Sequence, residues 1–242
     1  MAKRYRDKAF QRYSEVLSVV QPDLEREGML ASRLYMKNLG PYLPRDPDAK
    51  ILDLGCGFGL LMDFLSQQGY RNITGVDLCP ENTEICREKG LSVVLDDNAG
   101  FLEKHHEEFD CITLNYVLEH YMKDDGLGLL ELIHSGLRSG GSAIVLVPNM
   151  ANPITGARSR YMDITHEVAF TEESLEQILL IAGFSKASIY PVDQYCLPNP
   201  LLNLFGKLAS AFMFATLRLL YLLNGVRSTR IYTKALLGVG KK

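Results

Sequence analysis

The chain of 242 residues is long enough to bury a complete core without disulfide or metal cross-links, and it is 47% hydrophobic and 23% charged. This composition excludes collagen-like, disulfide-rich and wholly disordered classes. The net charge of −3 shows no general nucleic-acid signature, so nucleic acid is not expected as a partner. Residues 201–242, however, contain seven Lys and Arg and no Asp or Glu. This basic end favours contact with an anionic surface or substrate, and a solvated end is the alternative.

An N-terminal helical segment is expected over residues 1–45, in two helices broken near Pro22, and one domain over residues 46–242. Strands are predicted at 51–54, 73–76, 91–95, 109–114 and 143–147, alternating with helices at 60–68, 81–89, 99–106 and 126–137. This alternation predicts βαβ units on a parallel sheet with helices on both faces. Ligands of such sheets bind at the carboxyl ends of the strands.

The last third is predicted to comprise a polar loop at 150–169, a helix at 171–182, a strand at 184–192, an apolar insertion at 197–228 and a strand at 231–239. The insertion is expected to be helical. Lys207 and Arg218 interrupt its apolar run too early for a membrane span. We therefore predict that it is buried against the domain or against a partner in a homodimer, or that it makes a peripheral membrane contact.

The cysteines are Cys56, Cys79, Cys86, Cys111 and Cys196. Their number is odd and none forms a C-x-x-C pair, so we expect neither a disulfide framework nor a metal site. The N-terminus has no apolar run after its charges, unlike a secretory signal. A cytoplasmic protein is predicted, at most peripheral at the inner face of the membrane.

The most informative segment runs from Asp53 to Gly59 and has the pattern D-x-G-x-G-x-G at a strand-to-helix turn. Gly55 and Gly57 permit backbone angles and a close ligand approach that a Cβ atom would prevent. Asp77 ends the next strand, where a carboxylate can bind both ribose hydroxyls of an adenosine. Cys56, between the glycines, and Leu78, after Asp77, are assigned to the same cofactor site.

A nicotinamide dehydrogenase is the main alternative, because it also uses a glycine-rich first turn. Its fingerprint is G-x-G-x-x-G, which would require glycine where this chain has Leu60. Asp53 is also poorly suited to a pyrophosphate, whereas it suits the cationic end of a methionine-type ligand. The pattern therefore favours S-adenosylmethionine.

With these residues the chain resembles the class I S-adenosylmethionine-dependent methyltransferases, from about Lys50 to Phe184. Further matches are Asp97-Asn98, Asn115, Val117-Leu118-Glu119-His120 and Leu137-Arg138-Ser139-Gly140-Gly141. The resemblance implies a Rossmann-like α/β fold with a seven-stranded, mostly parallel sheet and an antiparallel last strand. It implies S-adenosylmethionine as methyl donor, Asp97 and Asn98 at its adenine, and Asn115 beside its methyl group.

Two parts of the chain bear on the acceptor. The run Val117 to His120 is similar to the branch that includes ubiquinone-biosynthesis O-methyltransferases. The pattern from Pro148 through Asp163-Ile164-Thr165-His166-Glu167 to Phe184 resembles a subgroup found with bacterial surface-polysaccharide genes. The second resemblance implies O-methylation of a sugar hydroxyl of a surface glycan or its precursor. A quinone or lipid-headgroup methyltransferase and a non-catalytic cofactor-binding protein are the alternatives.

His166, in the polar loop, is the predicted general base, because the ordinary pKa of histidine lies near physiological pH. Asp163, three residues earlier, is expected to orient it, and His120 is the third catalytic candidate. The alternatives are that His166 braces the loop and that His120 makes structural hydrogen bonds.

Overall fold

The computed structural model describes residues 24–195 and 199–242, so the first predicted helical piece and Cys196 lie outside the described residues. The strands are β1 (Lys50–Leu54), β2 (Asn72–Asp77), β3 (Val93–Leu95), β4 (Phe109–Asn115), β5 (Leu137–Pro148), β6 (Lys186–Pro191) and β7 (Ala235–Lys241). The helices are α1 (Leu24–Asn38), α2 (Leu60–Gln67), α3 (Pro80–Glu88), α4 (Asn98–Leu102), α5 (Lys123–Gly136), α6 (Gly156–Tyr161), α7 (Glu172–Ile181) and α8 (Pro200–Leu223).

The strands form one sheet in the order β3-β2-β1-β4-β5-β7-β6. Strands β1 to β5 pair in parallel, and β7 pairs antiparallel with both β5 and β6. The predicted fold class is therefore confirmed. The order reverses between β1 and β4, and ligands of open α/β sheets bind in the crevice at such a switch point.

Helices cover both faces of the sheet, which explains why its central strands are mostly apolar. Successive residues of a strand point to opposite faces, and Ile51 and Leu52 accordingly belong to separate buried clusters. Leu52 packs with Leu129 of α5, whereas Ile51 packs with Phe64 of α2. The two layers hold the ends of β1 and β4 in fixed register beside each other.

The last strand begins later than predicted, at Ala235 instead of residue 231. The preceding carbonyl groups are taken by side chains: Asn149 donates to Ile231 and Thr233, and Asn152 donates to Tyr232. These carbonyls accept from side chains, and ladder pairing with β5 begins only at Ala235. The loop 150–169, predicted to be irregular, contains the short helix α6.

Candidate active site

A cavity of about 300 Å³ opens at the carboxyl edge of the sheet. Eight of the residues predicted from the sequence line it: Gly55, Gly57, Asp77, Leu78, Asp97, Asn98, Asn115 and His120. They follow β1, β2, β3 and β4, so four separate strand ends meet here. The remaining predicted residues, Asp53, Cys56, Asp163 and His166, lie outside this lining.

The turn after β1 has the backbone that its glycines predict. Gly55 has φ +67°, and a Cβ atom there would lie 2.4 Å from Cγ2 of Val117. Gly57 has φ +54°, and a Cβ atom there would meet nothing within 4 Å. The first glycine is therefore required by packing, and the second leaves open space beside the cavity.

Asp77 joins three parts of the site. Its Oδ1 accepts from the backbone N–H of Cys79 at 2.8 Å and from Asn82 at 3.2 Å, and its Oδ2 accepts from the N–H of Gly57 at 2.8 Å. A carboxylate offers about four acceptor positions, so one remains for an incoming hydroxyl. Asp77 can therefore accept from one further hydroxyl, whereas the expectation from the sequence was that it binds both ribose hydroxyls, and it also holds the glycine turn.

Asn115 ends β4 with its Oδ1 buried and without a hydrogen-bond partner among the described residues. Asp53, which is only 2% exposed, accepts from the Thr113 hydroxyl at 2.7 Å. Burial raises the pKa of Asp53 to about 7, and the Thr113 and Asn115 side chains partly oppose this rise. A cation beside them would satisfy Asn115 and keep Asp53 ionised. This pair fits the positively charged methionine end of S-adenosylmethionine.

Asp97 and Asn98 form another wall of the cavity. Asp97 accepts from the N–H of Gly100 at 3.0 Å and thereby caps α4. Asn98 donates to the Tyr121 hydroxyl over 3.4 Å. Both residues thus have local structural roles, and both also face the space where the resemblance locates the adenine.

His120 connects the cavity to the loop after β5. Its Nδ1 lies 2.8 Å from Oγ1 of Thr165, and this hydroxyl lies 2.6 Å from Oδ1 of Asp163. Because the hydroxyl proton goes to the carboxylate, Nδ1 of His120 must be the donor in the first contact. Asp163 was expected to orient His166, but its carboxylate instead orients His120 through Thr165.

His166 lies beside His120, with 4.8 Å between the ring centroids. Its Nδ1 is 2.6 Å from the carbonyl oxygen of Ser159, which can only accept, so Nδ1 carries a proton and a neutral ring has its lone pair on Nε2. Arg160 donates to the carbonyl groups of His166 and Glu167, which holds this part of the loop in place.

Glu119 lies close to His120 and His166. It is 1% exposed, and neither carboxylate oxygen has a hydrogen-bond partner among the described residues. Burial raises its pKa to about 8, so it is largely protonated at neutral pH. Ligand atoms of Glu119, His120 and His166 lie within 4.8 Å of one another. Two histidines and a buried carboxyl group this close together can take part in proton transfer.

Five residues that line the cavity were not predicted from the sequence as site residues: Cys79, Asn82, Tyr116, Val117 and Tyr121. Tyr116 has φ +56°, a conformation that bulky residues rarely adopt. Strained backbone of this kind clusters at functional sites. No local sequence pattern predicts this conformation of Tyr116. Asn82 could have been predicted, because it lies in the first turn of the helix that follows Asp77.

Solved structures share this fold at low sequence identity. A methyltransferase from Archaeoglobus fulgidus aligns with a TM-score of 0.63 and 19% identity, covering 87% of this chain and 92% of that one. A Burkholderia thailandensis N-methyltransferase, solved with bound S-adenosylhomocysteine, aligns with a TM-score of 0.55 and 19% identity, covering 100% of this chain and 86% of that one. These likenesses extend over nearly the whole chain and concern the fold.

Curated relatives are similar over shorter stretches. A ubiquinone biosynthesis O-methyltransferase of Xanthomonas campestris is 33% identical over 109 residues, which is 43% of this chain and 44% of that protein. Another, from Psychrobacter arcticus, is 28% identical over 159 residues, which is 58% of this chain and 60% of that protein. The chain thus spans about half the length of the curated relatives that it matches.

A family model described as a methyltransferase domain matches residues 25–189, which include every residue of the cavity. The chain therefore belongs to this family and is a class I S-adenosylmethionine-dependent methyltransferase.

Proposed function

We propose that the enzyme methylates a hydroxyl oxygen of a small acceptor held beside His120 and His166. The observation that carries this proposal is the position of the two rings, which continue from the cavity wall near Asn115 into the loop after β5. S-adenosylmethionine supplies a methyl group on a sulfonium. The acceptor oxygen bonds to the methyl carbon while the carbon–sulfur bond breaks, and the hydroxyl proton must pass to a base.

His166 is the proposed proton acceptor, and His120 is proposed to position the acceptor. Burial and the neighbouring His166 lower the pKa of His120 to about 4, which makes His120 a weak base. Ser159 fixes the proton of His166 on Nδ1 and leaves Nε2 to receive another. Asp163 and Thr165 then serve to hold the ring of His120 in one orientation.

The acceptor class that we favour is a phenolic hydroxyl of a quinone-type molecule. The curated relatives support it, because they are named for ubiquinone biosynthesis. A phenol has a pKa near 10, which is much closer to that of histidine than an aliphatic hydroxyl is. A histidine base therefore needs to contribute less to phenol methylation than to sugar methylation.

A sugar hydroxyl, the first expectation from the sequence, is the second candidate. Tyr161 is 80% exposed, and the guanidinium of Arg160 lies 5.3 Å from the centre of its ring. An exposed aromatic ring next to a cation provides a stacking surface and a donor for a polar glycan. None of the relatives compared above is named for glycan methylation, so this candidate ranks second.

Incubation of the purified protein with methyl-labelled donor tests the proposal, with a demethylated quinol and an isolated glycan fraction as separate acceptors. The proposal predicts a base-stable methyl ether on the quinol, identified by mass spectrometry. Label on the glycan alone would select the second candidate. Label on nitrogen or carbon, or no transfer to either acceptor, would contradict O-methylation of these acceptors. Asp77→Ala serves as the control for donor-dependent labelling.

A further inference from the structure

Helix α8 presents a continuous apolar stripe to solvent. The helix has 24 residues and none is buried. Leu201, Phe205, Leu208, Phe212, Leu219 and Leu223 follow one another at helical spacing and are between 53% and 78% exposed. Monomeric soluble proteins rarely expose so large a contiguous apolar surface unless it contacts something.

The opposite side of α8 is fixed to the domain along its length. Near one end Lys207 pairs with Asp193 at 3.4 Å, and near the middle Phe214 stacks on Tyr232 with 5.2 Å between ring centroids. The guanidinium of Arg218, one turn later, lies 5.7 Å from the centre of the same Tyr232 ring. Among the described helices, only α8 is long and apolar enough to cross a membrane. The contacts of Lys207, Phe214 and Arg218 hold one side of the helix against the domain and leave the apolar stripe outward.

The charges around the stripe are basic. Lys207 and Arg218 are three helical turns apart on the same flank, between the attached side and the stripe. Residues 201–242 contain seven Lys and Arg and no Asp or Glu. An outward apolar stripe with basic residues along its flank is the pattern of a helix that lies in the interface of an anionic membrane.

The same helix adjoins the active-site edge of the sheet. Pro148 pairs with Ala235, and Pro191 pairs with Leu236, so the connection that carries α8 leaves and rejoins the sheet where β5 ends. Asn152, in the loop after β5, donates to the Tyr232 carbonyl at 2.7 Å. The loop that contains His166 and the support of α8 are therefore joined.

We infer that α8 docks this edge of the enzyme onto an anionic lipid bilayer. The apolar stripe enters the interface, and the basic side chains of residues 201–242 attract the anionic lipid head groups. The inference concerns the surface on which the enzyme works and stands whichever acceptor is methylated. A second copy of the chain is the competing occupant of the stripe. The charge of residues 201–242, seven Lys and Arg with no Asp or Glu, favours an anionic bilayer, because two copies of this segment would repel each other.

Sedimentation with vesicles tests the inference, using phosphatidylglycerol mixed with phosphatidylcholine and phosphatidylcholine alone. The wild-type protein should bind the vesicles that contain phosphatidylglycerol at least about tenfold more tightly than the vesicles of phosphatidylcholine alone. High salt should release it. Phe205→Ser/Phe212→Ser should abolish binding, whereas the matched pair Leu180→Ser/Ile181→Ser, on exposed positions of α7, should bind as the wild type does. Calorimetry with S-adenosylhomocysteine verifies that each variant is folded.

Three outcomes would overturn the inference. The first is equal vesicle binding by wild type and Phe205→Ser/Phe212→Ser. The second is a wild-type dimer in analytical ultracentrifugation that this double variant converts to a monomer. The third is retention of the protein in vesicles after a carbonate wash, which would mean that α8 spans the bilayer.

Discussion

The backbone N–H of Gly57 donates to Oδ2 of Asp77 over 2.8 Å and so ties the turn after β1 to the end of β2. The two strands are neighbours in the sheet. The bond therefore connects the D-x-G-x-G-x-G turn to the carboxylate that was expected to bind the ribose. Asp77 therefore holds the glycine turn, and we propose that it also contributes to cofactor affinity.

Asp77→Ala should weaken binding of S-adenosylhomocysteine by about 100-fold, because it removes a charge-assisted hydrogen bond to the ribose and loosens the turn. Titration calorimetry measures the change. Asp124→Ala, which removes an exposed carboxylate in the first turn of α5, is the control and should bind normally. Wild-type affinity in Asp77→Ala would show that the ribose lies elsewhere.

Thr165→Val should lower turnover about tenfold and leave the affinity for S-adenosylhomocysteine unchanged, because it breaks the connection from Asp163 to His120 while keeping the side-chain shape. Steady-state kinetics and calorimetry separate the two effects. Thr165→Ser keeps the hydroxyl and should restore most of the turnover. If the serine variant is as slow as the valine variant, packing and not the hydroxyl is responsible.

Glu119 should make the stability of the protein depend on pH. Its pKa is raised to about 8 in the folded state, so the folded protein holds this proton more tightly than the unfolded chain does. Stability is then greatest below the pKa of an unfolded glutamate and declines as pH rises towards 8. Glu119→Gln cannot lose a proton and should melt at a higher temperature than the wild type at pH 8.5.

The two proteins should melt alike at about pH 3.5, where most Glu119 is protonated in both the folded and the unfolded state. Melting curves across this range measure the difference, with Glu88→Gln, an exposed glutamate at the end of α3, as the control. A constant difference between Glu119→Gln and wild type at every pH would mean that Glu119 does not titrate in this range.

Removal of divalent cations should leave methyl transfer intact, because the sulfonium already activates the methyl group and the proposed proton acceptor is a histidine. Glu119, His120 and His166, whose ligand atoms lie within 4.8 Å of one another, are then not needed as metal ligands. The assay compares activity before and after treatment with a chelator and dialysis. Activity that disappears and returns with a single added cation would instead make these three side chains metal ligands.

The positions of the residues assigned to the cofactor could be predicted from the sequence. Asp77, Gly55 and Asn115 stand at strand ends, and the order of elements along the chain locates those ends at one edge of the sheet. Such positions depend on local pattern and on the handedness of βαβ crossovers, which the sequence expresses directly.

The residues proposed to surround the acceptor are brought together by contacts between distant parts of the chain. A local sequence pattern does not indicate such contacts. The partner of Asp163 is decided by how the loop after β5 folds back, with the N–H groups of Glu167 and Val168 donating to the carbonyl of Glu119. The same long-range pairing buries Glu119. The late start of β7 has a similar cause, since the side chain of Asn149 competes for its carbonyl groups.

The most direct test of the proposed chemistry compares His166→Ala with wild type in both turnover and cofactor affinity. We predict that turnover falls about 100-fold or more, while the dissociation constant of S-adenosylhomocysteine stays within about twofold. His106→Ala, at an exposed histidine, should match the wild type in both measurements. Unchanged turnover in folded His166→Ala would contradict the assignment of the base.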